Sequence, residues 1–166
     1  MNKRENFEAV LAALGKSIGR EFALDESGVA FIPLGDVSAV VRYREAVDHV
    51  IVYAFVGYLP EDGTAEERAR ALLRFNDCWE VTNGFTLGLD RDSRALYAFD
   101  LVDAAEFFGP EALADCLDRL AGAVETVRER IAADFPIAEE DNAALADLIE
   151  AIDVFTTADE EKEVAE

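Results

Sequence analysis

The fold is decided by the stretch ALLRFNDCWEVTNGFTLGLDRDSRALYAF, residues 71–99. Leu72, Phe75 and Trp79 recur at spacings of three and four residues, which predicts one apolar face of an amphipathic helix. Asn83 and Gly84 are expected to break this helix, which would run to about residue 81, because both residue types tolerate positive φ. The stretch therefore begins with the end of a helix whose apolar face needs something to pack against.

A β-hairpin is predicted directly after this helix. Residues 85–89 and 95–101 are expected to form its two strands, and the acidic residues 90–94 the loop between them. Asp90 and Asp92 have the spacing that begins a calcium-binding loop, but the glycine expected at the sixth position is missing. An ordinary hairpin turn is therefore favoured over a metal site.

Upstream of this stretch, the sequence predicts one helix followed by three strands. The helix covers residues 4–18 and stops at Gly19, and its apolar stripe consists of Phe7, Val10, Leu11, Leu14 and Ile18. The strands cover residues 29–34, 37–43 and 49–58. Pro33 has no N–H to donate, so the strand that contains it is expected at a sheet edge or to carry a bulge there.

The third of these strands is apolar on both of its alternating faces. One face consists of Val50, Val52, Ala54 and Val56, and the other of Ile51, Tyr53 and Phe55. A strand that is covered on one side only would alternate with polar residues. Both faces are therefore expected to be covered, either by helices on each side or by a second subunit.

Two further helices complete the domain. Thr64 and Glu67 have the spacing of a capping box, which predicts the start of the second helix. Pro110 suits the first turn of a third helix, whose apolar seam consists of Leu113, Leu117, Leu120, Val124, Val127 and Ile131. A coiled coil is one interpretation of this seam, and packing on the five predicted strands is the favoured one. The order αβββαββα predicts an α+β fold with an antiparallel sheet.

The C-terminal segment has a different character. Residues 1–135 are expected to form the single α+β domain, and residues 136–166 an acidic extension with a helix at 142–155 and a disordered end. The stretch from residue 131 to 166 contains twelve acidic residues and one Lys, which gives it a charge of −11. An acidic terminal tail is more often solvated than a binding site.

Composition excludes several classes of function. A net charge of −21 repels nucleic acid phosphates and anionic lipid, so neither partner is expected. No apolar run approaches the roughly 20 residues that span a bilayer, and the N-terminus lacks the apolar stretch of a signal peptide. Both observations favour the cytoplasm. The aromatic residues exceed what a small core must bury, so some are expected to line an exposed surface that binds a partner.

The residues give no pattern typical of an enzyme. His49 is the single histidine, and it has no Cys-x-x-Cys or second His with which to bind zinc. No serine lies in a nucleophile-elbow pattern, and no glycine-rich phosphate loop is present. Cys78 and Cys116 are expected to be reduced, buried thiols. We therefore expect no catalytic residues, no metal and no cofactor.

The stretch 71–99 resembles the type III secretion chaperone family, the Tir-chaperone class of small acidic bacterial proteins. In that family a leucine-rich helix with an Asn near its end leads through a glycine-containing turn into a strand that reads roughly T-L-G-L-D. The matching residues are Leu72, Leu73, Asn76, Asn83, Gly84, Thr86, Leu87, Gly88, Leu89 and Asp90. The resemblance in element order runs from about residue 5 to residue 133, and the segment after Pro136 departs from it.

The resemblance implies a homodimer that binds the extended N-terminal segment of a secreted effector and keeps it soluble for export. An extended client can add a strand to a free sheet edge and insert alternate side chains into pockets. The implied dimer interface lies on the second helix, with Leu72, Phe75 and Trp79 as candidates, which would serve equally well as core residues. The implied client surface includes Phe31, Ile32 and Leu34, for which core positions are equally compatible with the sequence.

A second hypothesis keeps the fold without the secretion role. The protein would then be a stand-alone adaptor or regulator in the cytoplasm, and it would bind a basic partner through its acidic C-terminus. Deletion of residues 136–166 distinguishes the two hypotheses. Lost partner binding favours the acidic adaptor, and retained binding favours the chaperone.

Overall fold

The computed structural model describes residues 2–58, 65–77, 79–90 and 95–134. In these residues the elements are, in order, α1 Lys3–Ser17, β1 Val29–Leu34, β2 Val37–Arg44, β3 His49–Tyr58, α2 Ala65–Asp77, β4 Thr86–Leu89, β5 Ala95–Asp103, a 3-10 turn Ala104–Glu106 and α3 Pro110–Asp134. The predicted α+β order αβββαββα is confirmed. Thr64, Cys78, Asp92 and the whole predicted extension, including the helix at 142–155, lie outside the described residues.

The five strands form one sheet in the order β1-β2-β3-β5-β4, and every neighbouring pair is antiparallel. The edge strands of this sheet are therefore β1 and β4, which confirms the edge position predicted from Pro33. The register between β3 and β5 shifts between Phe55 and Gly57. Across this irregularity Arg128 of α3 donates hydrogen bonds to the carbonyl oxygens of Phe55 (3.2 Å) and Val56 (2.9 Å).

Helix α1 begins with a capping box, because Asn2 and Glu5 each accept a hydrogen bond from the other's backbone N–H. Gly15 is required by a close approach, since a Cβ there would lie 2.8 Å from the carbonyl oxygen of Arg20. The helix ends at Ser17, one residue earlier than predicted. Ile18 is consequently 56% exposed and does not belong to the buried stripe, whereas the other four predicted members are buried.

Helices α1 and α3 cover one face of the sheet, which we call the inner face. All six seam residues of α3 are at most 2% exposed, so the prediction that this helix packs on the sheet is confirmed. Each buried Leu, Ile or Val side chain contributes about 1.5–3 kcal/mol to stability. No helix in the described part of the chain is long and apolar enough to cross a membrane.

Cys116 of α3 also belongs to this core. It is 3% exposed and unpaired, which confirms the expected reduced thiol at this position. Burial raises the pKa of the thiol, so it stays protonated and unreactive at neutral pH.

Helix α2 ends at Asp77, four residues earlier than the predicted end. The chain then winds through tight turns, which the N–H of Gly84 closes on the carbonyl oxygen of Trp79 at 2.9 Å. Asn83 and Gly84 have the positive φ values expected of them, 50° and 88°. They do not break the helix as predicted, because it ends six residues before Asn83. The prediction that Trp79 continues the apolar face of the helix is wrong, because Trp79 lies in the turn and is 68% exposed.

Candidate protein-interaction surface

The second face of the sheet carries the site. Successive residues of a strand point to opposite faces, and residues paired across strands share a face. Phe31 pairs with Val40, Val40 with Tyr53, and Tyr53 with Phe99. The same register defines the outer face, whose apolar members include Val29, Phe31, Val40, Ile51, Tyr53, Phe55, Tyr58, Tyr97, Phe99 and Leu101.

The outer face has a buried centre and an open rim. Val40 and Tyr53 are 1% and 7% exposed, and the partly buried side chains packed around them come from strands alone: Val29, Ile51, Phe55 and Phe99. Phe31 lies on β1 and Leu101 on β5, the strands on either side of β2 and β3, and these two side chains remain 42% and 52% exposed. The sequence predicted cover on both faces of β3. In the described residues α1 and α3 cover the inner face, and the outer face remains open enough to receive a partner.

Aromatic rings cover the β4 side of this face. The rings of Tyr97 and Phe99 lie 5.6 Å apart, and a Cβ on Gly88 would come within 2.6 Å of the Tyr97 ring. Gly88 therefore leaves room for the rings of Tyr97 and Phe99 beside the edge strand, which gives a physical reason for the glycine in the T-L-G-L-D string. Burial of the ring, with the nearby charge of Asp90, raises the pKa of Tyr97.

The outer face also carries positive charge in an acidic protein. Arg42 and Arg44 lie on this face of β2, because they pair with Ile51 and His49. The Nε atom of Arg42 is buried without a hydrogen-bond partner. The charge of Arg42 acts on the nearby Asp25 carboxylate and contributes to the lowered pKa of that carboxyl.

The β1 edge of the sheet is partly capped by Asp25. Its carboxylate accepts hydrogen bonds from the N–H groups of Ser27 and Val29, both at 2.9 Å, and its own N–H donates to the carbonyl oxygen of Val29. Burial raises the pKa of this carboxyl, but the hydrogen bonds outweigh that effect and bring the pKa below its usual value. Because the backbone groups of a strand alternate in direction, those of Phe31 and Pro33 also point away from β2, towards the free edge. Pro33 has no N–H, so Phe31 is the one residue of β1 that offers both groups to an added strand.

The β4 edge is capped by Asn76 at the end of α2. Its side chain accepts a hydrogen bond from the Leu87 N–H at 2.7 Å and donates to the Leu87 carbonyl oxygen at 3.2 Å. The carboxamide thus occupies two of the backbone groups that a neighbouring strand would use. Both sheet edges are restricted as sites for strand addition, which leaves the outer face as the larger opening for a partner.

We expect Asn76→Ala to lower the free energy of unfolding by about 1–3 kcal/mol, because it leaves the Leu87 N–H and C=O without their partners. Urea denaturation followed by circular dichroism measures this change. Asn6→Ala is the matched control, since Asn6 lies within α1 and Ala favours a helix interior. Equal stability of the Asn76 variant and the control would contradict the edge-capping role.

Three exposed apolar side chains lie on α2, on the turn after it and on β4, and we call this group the α2–β4 patch. It consists of Leu73, Trp79 and Leu89, which are 63%, 68% and 40% exposed. Of the residues predicted from the sequence for a dimer interface, Trp79 belongs to this patch. Leu72 is 6% exposed and Phe75 packs against the core, so both face inwards in the described chain.

The predicted client residues are also divided between the two faces. Phe31 lies on the outer face, whereas Ile32 is 2% exposed in the core and Leu34 packs against that core. Their role in client binding stays a prediction, and for Ile32 it would require the core to open. Sequence reasoning missed Leu101 as a surface residue, and it included Tyr97 and Phe99 only among aromatic residues of which some were expected to be exposed. The alternation along β5 was a signal that could have assigned all three to one face.

The chain is similar to one known protein family and to several solved structures. The model of the Tir chaperone protein (CesT) family matches residues 9–128, from within α1 to within α3. The ExsC–ExsE complex is similar in fold, with a TM-score of 0.65 and 21% identity over 78% of this chain and 96% of that chain. The HopA1–SchA chaperone–effector complex gives 0.63 and 14%, over 76% of this chain and 95% of that chain.

A third similar structure is the Yersinia pestis type III secretion chaperone SycH in complex with a stable fragment of YscM2. Its TM-score is 0.55, with 15% identity over 72% of this chain and 98% of that chain. At these identities the likeness concerns the fold. The search among curated proteins gave no significant match.

Proposed function

The chain belongs to the Tir chaperone protein (CesT) family, and from this membership we propose that it is a type III secretion chaperone. Its client would be the extended N-terminal segment of a secreted effector, which it keeps soluble and competent for export in the bacterial cytoplasm. The role is binding rather than catalysis. Structures of similar fold that contain a chaperone with an effector or a protein fragment support this proposal.

The observation that carries the proposal is the open outer face of the sheet. An unfolded segment offers apolar side chains that aggregate in water, and a rigid surface of aromatic rings buries them without first having to order itself. Phe31 and Leu101 lie at the rim, where a client side chain can reach the buried centre around Tyr53. The net charge of −21 keeps the loaded complex soluble.

The mode of binding follows from the state of the edges. Asp25 and Pro33 leave few backbone groups of β1 available, so backbone pairing there would be confined to the neighbourhood of Phe31. We therefore place the client across the outer face, where it is held mainly through its side chains. Phe31 keeps the client-binding role predicted from the sequence, because it contributes both to this face and to the free part of the edge.

We further propose that the protein is a homodimer through the α2–β4 patch. Three large apolar side chains exposed on adjoining elements are costly in water and typical of a protein interface. A twofold interface would place Trp79 of one subunit against the same patch of the other. Leu72 and Phe75 would support this interface from behind, by fixing α2 on the core.

Co-purification from the native organism tests the function. The tagged full chain is expected to capture a secreted protein, and constructs of that protein shortened from either end are expected to bind only when its N-terminal segment is present. A captured protein that binds through a folded domain, with its N-terminal segment dispensable, would contradict the proposal. Capture that depends on residues 136–166 instead would favour the acidic adaptor.

A further inference from the structure

We propose that Arg128 of α3 is a positioning residue for the outer face, because its guanidinium group holds a β-bulge that places the Tyr58 ring beside Phe55. The two rings form an aromatic subsite for an apolar side chain of the client. The use of this subsite by a client rests on the proposed function. The position of the Tyr58 ring does not, and it can be measured in the free protein.

A β-bulge lies near the end of β3. Phe55 pairs with Tyr97 of β5. The next pair joins Gly57 to Leu96, so the pairing advances by two residues on β3 and by one on β5. Val56 is therefore the extra residue, and its side chain is buried in the inner core together with that of Leu96. A bulge of this kind changes the direction of the side chains that follow it.

The bulge determines the face on which Tyr58 lies. In a regular strand, residues three apart point to opposite faces, so Tyr58 would lie on the inner face, opposite Phe55. The extra residue shifts this alternation by one. Tyr58 instead pairs with Ala95, and its ring lies 5.0 Å from that of Phe55 in an edge-to-face arrangement. The outer face therefore gains the Tyr58 ring beside the paired residues Phe55 and Tyr97.

Arg128 holds the bulge from the side of α3. The pairing of β2 with β3 ends at Ala54, directly before the bulge. The Nε atom of Arg128 donates to the Val56 carbonyl oxygen at 2.9 Å, and its Nη2 atom donates to that of Phe55 at 3.2 Å. Its Nη1 atom pairs with the Asp36 carboxylate at 3.6 Å, in the turn between β1 and β2. The planar guanidinium group thus joins α3, the bulge and this turn.

These hydrogen bonds are expected to determine whether the bulge persists. An extra residue disrupts the ladder locally, and its backbone groups need other partners. The side chain of Arg128 is 34% exposed, so its hydrogen bonds are partly shielded from water, where they are stronger than in solvent. Without them, β3 is expected to fray after Phe55 or to return to regular alternation. Either change moves the Tyr58 ring away from Phe55.

An apolar client side chain fits the resulting subsite. Phe55, Tyr58 and Tyr97 are all partly exposed, so their rings have contact area left to offer. Rings that are already held by the sheet bury such a side chain at little cost in conformational entropy. Arg128 would therefore influence client binding without touching the client.

The position of the ring is tested by NMR on the full chain without any client. The nuclear Overhauser effect between the ring protons of Phe55 and Tyr58 is expected in the wild type, because the ring centroids lie 5.0 Å apart. Arg128→Met is expected to abolish it, since Met keeps an apolar stem but donates no hydrogen bond. If this variant does not fold, Arg128→Lys gives the same test, because an ammonium group lacks the planar fork.

Two control variants are expected to keep this nuclear Overhauser effect. Arg130→Met removes the same charge from an exposed position of the same helix. Asp36→Asn removes the ion pair with Arg128 but leaves both hydrogen bonds to the bulge. A ring contact that persists in a folded Arg128 variant would overturn the positioning role.

Calorimetry with the client's N-terminal segment tests the use of the subsite. Arg128→Met and Tyr58→Ala are each expected to weaken binding about tenfold, and Arg130→Met is expected to change it less than about twofold. The double variant of Arg128 and Tyr58 is expected to bind within about twofold of either single variant, because both changes remove the same ring.

Two results of this titration would also overturn the proposal. Additive effects, about 100-fold together, would show that Arg128 acts other than through Tyr58. Wild-type affinity of Tyr58→Ala would remove the subsite from the client surface. A failure of the proposed function would appear in the co-purification experiment instead, and it would leave the ring measurement in the free protein unaffected.

Discussion

Phe31→Glu is expected to weaken binding of the client's N-terminal segment at least about 100-fold, while the free protein still folds. Phe31 is 42% exposed on the outer face of an edge strand, so the free protein tolerates a charge there. In the complex the carboxylate would be buried among Val29, Val40 and client side chains without a partner. The unpaired buried charge and the loss of the aromatic contact both lower the affinity for the client.

Isothermal titration calorimetry with the segment identified by co-purification measures this effect. Val47→Glu is the control, because Val47 is 53% exposed in the turn between β2 and β3 and adds the same charge away from the apolar cluster. Its affinity is expected to stay within about threefold of the wild type. Equal affinities for the two variants would show that the client binds away from the outer face.

Leu73→Glu is expected to halve the mass measured by light scattering, and Leu72→Glu to abolish cooperative folding. The two residues are neighbours on α2, but Leu73 is 63% exposed and Leu72 only 6%. A carboxylate at position 73 would lie in the proposed α2–β4 interface, where two symmetry-related charges repel each other. A carboxylate at position 72 is forced into the core, where cavity, lost burial and desolvation together cost more than about 4 kcal/mol.

The two variants distinguish an interface position from a core position, because they introduce the same charge at adjacent residues of α2. Circular dichroism and thermal unfolding of each variant accompany the mass measurement. A Leu73→Glu protein of unchanged mass would reject the α2–β4 patch as the dimer interface. A folded Leu72→Glu monomer would instead support the interface predicted from the sequence, with Leu72 within it.

The sequence was most informative where local pattern and tertiary structure agree. Strands 29–34 and 49–58 were predicted with their observed bounds, since turns flank both and apolar residues fill them. The seam of α3 was predicted for the same reason. The position of Trp79 was predicted wrongly. Helical spacing places it on the apolar face only if the helix continues, and α2 ends at Asp77.

The candidate site was harder to predict than the fold. The residues of β3 showed that two apolar faces exist, but the face on which α1 and α3 pack depends on contacts distant in sequence. The same holds for Asn76, which caps a strand eleven residues further along the chain. Phe31 and Ile32 are adjacent and both apolar, and only the register of β1 with β2 assigns one to the surface and the other to the core.

The capped edges have a consequence for which polypeptides this protein can accept. With Asn76 and Asp25 occupying the outward backbone groups of Leu87 and Val29, a guest chain has little main-chain pairing to gain. The backbone N–H groups of the guest chain therefore contribute less to binding than the spacing of its apolar side chains does. Client segments that contain proline, or that share no sequence pattern beyond this spacing, should bind equally well. We therefore expect one such protein to bind several clients. The caps formed by Asn76 and Asp25 also limit pairing between the sheet edges of neighbouring copies, which is a route to fibres.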